Sequence, residues 1–112
     1  MSGASSWSLA EADHDKIVVL LTAFLRESNA RTALLVDRTG QMVATAGEPP
    51  EFDPTTFASL AAADFSANDQ LARLIGEPEF GSLFHQGETA SMYLADIARR
   101  VILVVLFDTR TT

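Results

Sequence analysis

Two histidines, one lysine and no cysteine leave this chain few routes to chemistry. Without cysteine there is no thiolate nucleophile, no disulfide and no cysteine-ligated zinc. Lys16 stands between Asp15 and Ile17 in a helical pattern, whereas a phosphate-binding loop carries its lysine at the end of a glycine-rich turn. No G-x-G-x-x-G run is present to cradle a dinucleotide. His14 reads as a helix-surface residue. His85 lies close to Glu88 and reads as a structural histidine, a weak general base paired with Glu88 being the alternative. No serine sits in a G-x-S-x-G elbow. Asp37, at the end of an apolar run, is expected to bond turn amides and not to act as a general acid. The chain is therefore expected to be no enzyme and to use no cofactor or metal.

The elements that would position any site are plainer. Residues 33–36 and 42–46 are apolar runs separated by Asp37-Arg38-Thr39-Gly40, the pattern of a hairpin with glycine at its turn. Residues 9–29 precede it with Ile17, Leu20, Leu21, Phe24 and Leu25 at i, i+3, i+4, i+7, i+8, one helical stripe. After Glu48-Pro49-Pro50-Glu51, Asp53-Pro54 reads as an N-cap followed by proline at the first helical position. That second helix is expected to run to about Ile75 and stop at Gly76, with Phe57, Leu60, Ala61, Leu71, Leu74 and Ile75 as its apolar set. Its middle is rich in alanine, which suits either plain helix propensity or a close helix–helix contact. Three strands follow over residues 80–85, 91–95 and 100–108, with turns at 86–88 and 96–99. Residues 101–107 are apolar at every position, so that strand is expected at the centre of a sheet. Residues 80–85 are more amphipathic and suit an edge, which must be blunted or paired with a second copy.

Length and composition set the frame. The 112 residues, 47% hydrophobic and 21% charged, make one globular α+β domain in the order α-β-β-α-β-β-β, with residues 1–8 frayed. Trp7 in that segment either folds back on the core or serves as an exposed anchor. No apolar run is long enough to span a membrane, and the start lacks the basic and apolar blocks of a signal peptide. A cytoplasmic location is the default. Of the net charge of −7, residues 47–79 supply −6, from seven acids (Glu48, Glu51, Asp53, Asp64, Asp69, Glu77, Glu79) against Arg73. This reads either as a solvated helix face or as an acidic docking surface for a basic partner. Nucleic acid and anionic membrane are not expected partners.

Helix, ALLVDRTGQMVATAG, an alanine-rich helix and three strands ending in VILVVLFD resemble the roadblock/LC7 domains, small dimeric scaffolds found with dynein and with Ras-like GTPases. Within that family the likeness is to the MglB-type bacterial regulators of the GTPase MglA. It is carried by Leu71-Ala72-Arg73-Leu74-Ile75-Gly76-Glu77, Phe80, His85-Gln86-Gly87-Glu88, Tyr93 and the closing strand. The resemblance implies a five-stranded antiparallel sheet with helices packed on it. It also implies dimerisation through the third strand and second helix, placing Phe57, Leu60, Ala61, Phe80, Leu83, Phe84 and His85 at the seam. MglB-type dimers stimulate the GTPase without inserting an arginine finger, by rearranging its own residues. Such chains continue past the fifth strand into a further helix, whereas this one stops at Thr112, which fits an adaptor as well as an activator.

The resulting expectation is a non-catalytic homodimeric regulator or scaffold of a small Ras-like GTPase, MglA-like, or of another roadblock protein. The polar face of the second helix, Asp64, Asn68, Asp69 and Arg73, is the expected contact with the partner. A small-molecule sensor is the alternative from another class, and it requires an internal pocket with convergent polar groups.

Overall fold

Six consecutive buried residues, Thr32–Asp37, form β1, and a strand buried on both faces must have something packed on each. The computed structural model describes residues 11–108. Around β1 it sets α1 (Glu11–Ser28), β2 (Met42–Gly47), α2 (Pro54–Leu74), β3 (Ser82–Gln86), β4 (Ala90–Ile97) and β5 (Val101–Asp108). The five strands form one antiparallel sheet in the order β2-β1-β5-β4-β3. The all-apolar β5 is the central strand, as its lack of alternation predicts.

Alternate residues of β1 divide the core in two. Leu34 and Val36 point to one face, where they meet Leu94, Ile102 and Val104 of the sheet and Ala58, Ala61 and Phe65 of α2. Ala33 and Leu35 point to the other, where Ala44, Ala46 and Val101 meet Leu21 and Leu25 of α1. Period-2 alternation thus places the two helices on opposite faces of the sheet. Each helix presents its narrow side: Ile17, Leu21 and Leu25 from α1, and Ala58, Ala61, Phe65, Asn68 and Ala72 from α2.

Both helical stripes differ from the sequence expectation. Leu20 and Phe24 of α1 are exposed, with Val18 packed in their place. In α2 the pattern is inverted, since Leu60, Leu71, Leu74 and Ile75 are exposed while alanines face the sheet. Phe65, absent from the expected apolar set, is the largest fully buried side chain. Small residues let the α2 backbone approach the sheet closely, and a single aromatic then fills the remaining depth.

Local signals place the helix and hairpin ends. Asp53 caps α2, its carboxylate accepting from the Thr56 hydroxyl at 2.6 Å and amide at 3.0 Å. Those bonds, the hydroxyl's first, hold Asp53 below the usual carboxylate range. Asp37 Oδ1 accepts from the Thr39 and Gln41 amides at 3.0 and 2.9 Å, the turn-bonding role expected of it. At Gly47, φ is +93° and an added Cβ would lie 2.5 Å from the Arg31 carbonyl oxygen, so only glycine fits where β2 meets the α1–β1 connection.

The third strand begins at Ser82, not Phe80, and β4 continues to Ile97. The β4–β5 turn is therefore the three residues Ala98-Arg99-Arg100, closed by the Arg100 amide on the Ile97 carbonyl at 3.0 Å. Ala98 and Arg99 have positive φ, 55° and 59°. Two successive left-handed positions in a hairpin turn favour Asn-Gly, and each ordinary side chain there costs about 1–2 kcal/mol. Ala98→Asn with Arg99→Gly is expected to raise stability by about 1 kcal/mol in urea unfolding, because the Arg99–Glu79 pair it removes is exposed and 3.7 Å long.

Candidate interaction surface

The surface that could do anything is built by α2 and β3, which hold nearly all of the residues singled out for contact. Asp64 on α2 and His85 on β3 join the two elements through an Oδ2–Nε2 hydrogen bond of 2.6 Å. His85 is thus satisfied by Asp64 and not by Glu88. Leu83, on the same side of β3, packs against the α2-side core. Phe84 alternates to the opposite side and stacks on Phe107, ring centroids 6.1 Å apart. Between α2 and the sheet lies a groove of about 320 Å³ lined by Phe57, Leu60, Ala61, Asp64 and Met92.

The residues expected at a seam separate by depth. Leu60 is well exposed on α2, and Phe57 is half-buried and stacked on Phe52 at 4.6 Å. Ala61 is covered by its own sheet and so unavailable to a second chain. Phe80 is half-buried and lies before β3. Along the outer side of α2, Leu60, Ala67, Leu71 and Leu74 follow steps of seven, four and three residues, the spacing of a helix–helix seam. Leu74 is 81% exposed. Large apolar side chains on the outside of a helix whose inside is alanine are unusual in a monomer.

The polar face separates as well. Asn68 is buried beneath α2. Asp69 bonds Arg38 at 3.0 Å, and Asp96 takes the other guanidinium nitrogen at 2.5 Å. That guanidinium lies 5.3 Å from the centroid of Phe65. Burial on its own would lower the Arg38 pKa, but the hydrogen bonds to Asp96 and Asp69 and their charges raise it further. Only Arg73 of the four expected contact residues is exposed, with Asp64 half-buried.

The concentration of acids is largely used within the chain. Glu48 pairs with Arg31, Asp53 caps α2, Asp64 meets His85, Asp69 meets Arg38 and Glu79 meets Arg99. Five of the seven acids of residues 47–79 thus have a bonding partner within the chain. Arg38 and Asp96 were not legible as its partners, since Arg38 lies 31 and 58 residues from the two carboxylates it binds.

Among the described residues no group of three or more acids or histidines could hold a metal, and no helix is long and apolar enough to cross a membrane. Trp7 and the expected frayed segment 1–8 lie outside the described residues.

A family model described as Roadblock/LC7 domain matches residues 16–107. Among solved structures, the chain is 41% identical to Myxococcus xanthus MglB, covering 87% of this chain and 79% of that one, with a TM-score of 0.82. A structure titled "MglB with tetrameric arrangement" is 35% identical over 95% of this chain and 80% of that one, with a TM-score of 0.88. The gliding protein MglB of Thermus thermophilus is 34% identical over 96% and 82%, also with a TM-score of 0.88. No curated protein matches the chain.

Proposed function

The chain belongs to the roadblock/LC7 domain family, and on that premise we propose that it is a homodimeric, non-catalytic regulator of a small Ras-like GTPase of the MglA type. The observation that carries the dimer is the inverted α2, with its outward ridge of Leu60, Leu71, Leu74 and Ile75. Two such ridges laid antiparallel across a two-fold axis bury each other, with Ala67 between them allowing close approach. The same axis brings the free edges of two β3 strands together, which removes the unpaired edge from both chains. Identities of 34–41% to MglB proteins over most of the chain support the GTPase as partner.

The regulator would act by positioning the GTPase's own groups and by excluding water from its site. Arg38 is held by two carboxylates and has no freedom to enter another protein's site. Asp64 and Arg73 supply the polar contact, while Asn68 is buried and Asp69 ties α2 to Arg38. Asp64→Lys is expected to weaken GTPase binding at least several-fold, and unchanged affinity would remove Asp64 from the contact.

Light scattering on the eluting protein tests the assembly. Wild type should measure about twice 12.1 kDa, and Leu71→Glu with Leu74→Glu should measure one chain while keeping its circular dichroism, because both side chains are exposed in the single chain. Mixed with an MglA-type GTPase carrying a GTP analogue, the dimer should co-elute and the double variant should not. A wild-type monomer would end the dimer reading. Binding without faster GTP hydrolysis would make the protein an adaptor and not an activator.

A further inference from the structure

Among the described residues, Asp64 and His85 form the one ion pair that ties β3 to α2. Their Oδ2–Nε2 distance of 2.6 Å is that of a short, charge-assisted hydrogen bond. The two side chains are 35% and 47% exposed in the single chain, so water still reaches the pair. Beside it lies the groove lined by Phe57, Leu60, Ala61 and Met92, which offers no polar side chain in water's place.

Other charged groups stand further off. Met92 is opposite His85 on β4, and Leu106 is opposite Met92 on β5, both uncharged. The remaining acids on this side are Glu88, in the β3–β4 turn, and Asp108, opposite Ala90 at the end of β5. Among bases, Arg38 is already held by Asp69 and Asp96. Arg73 is nine residues along α2 from Asp64, roughly 14 Å. Only a proton on His85 can therefore balance the Asp64 carboxylate.

The dimer proposed above brings α2 and β3 of each chain against their copies, and the present step rests on it. Assembly removes water from the pair. With a neutral imidazole, Asp64 would be an uncompensated carboxylate in the seam, and two-fold symmetry would place two there. Burying a lone charge costs far more than burying a bonded pair of opposite charges. Imidazole changes charge in the neutral range, where carboxylates do not.

We propose that each His85 takes up a proton as the dimer forms, which makes the His85–Asp64 pair a proton-linked clamp at the seam. The dimer favours the protonated state, so its affinity is full at the acid end of the neutral range and is lost as pH rises. The bond engages only Oδ2 of Asp64, which leaves the other oxygen for the GTPase contact.

Sedimentation equilibrium of the full chain between about pH 6 and pH 8 tests the clamp. The wild-type dimer dissociation constant should be at least about tenfold larger at the upper pH. His85→Gln keeps a donor for Asp64 but cannot titrate, so its constant should not change over this range. Asp64→Asn should reverse the slope, because the imidazolium then becomes the uncompensated charge. His14→Gln removes the other histidine and should behave as wild type. A wild-type constant that stays flat would overturn the clamp and leave the dimer standing. A slope retained in His85→Gln would also overturn it, since general repulsion between two acidic chains would then be the cause. A chain that is monomeric at every pH would remove the dimer reading and the clamp with it.

Discussion

Arg38→Met is expected to destabilise the protein by about 3–5 kcal/mol at neutral pH, measured as the shift in urea midpoint at unchanged slope. Asp69 and Asp96 are only 16% and 10% exposed in their side chains, and Arg38 is the cation that both bind. Methionine fills similar space over Phe65 but leaves two carboxylates facing each other in a desolvated corner. Arg38 is charged over the whole accessible pH range, and the two carboxylates raise its pKa further. The cluster is imperfect even so, with Arg38 Nε and Asp69 Oδ1 buried and unbonded. Replacing all three residues with apolar ones should therefore recover most of the loss. A loss below about 1 kcal/mol in Arg38→Met would mean that the cluster behaves as a solvated surface pair.

How far the sequence could be read depended on the range of the interaction involved. The β1–β2 hairpin was legible because Asp37 and Gly40 act within a few residues. The start of α2 was legible for the same reason, since Asp53 needs only Thr56. The central position of β5 followed from seven apolar residues that no half-solvated strand could carry. The β4–β5 turn, expected at 96–99, lies at 98–100 because Ala98 and Arg99 adopt left-handed backbone without the usual glycine or asparagine. The inward face of α2 was misread for a different reason. Hydrophobic periodicity reports which residues want to be buried and not what buries them, so leucines that are exposed in the single chain look like core. The same ambiguity applied to the candidate contacts, where Asn68 and Asp69 look like surface polar residues. Only the tertiary placement of Arg38 and the sheet shows that they face inward.

Phe65→Ala should cost about 3–5 kcal/mol, a large part of the roughly 5–15 kcal/mol that holds a domain of this size. Phe65 is fully buried among Leu34, Val36, Leu94, Ile102 and Val104. Its helical neighbours on the inner face, Ala58, Ala61, Asn68 and Ala72, are too short to move into the space it would vacate. A cavity therefore stays open, and the cost includes lost contacts as well as lost transfer energy. Removing the ring also takes away the surface over which Arg38 lies, so the Phe65→Ala and Arg38→Met effects should not add. A double-mutant cycle should give a coupling of about 0.5–3 kcal/mol. The comparison with Leu71→Ala is the more telling one. Leucine is nearly as large an apolar loss, but Leu71 is exposed in the single chain, so its effect on unfolding should depend on protein concentration. The Phe65 effect should not. If both effects moved together with concentration, α2 would owe its place on the sheet to the second chain, and the protein would have no stable folded monomer.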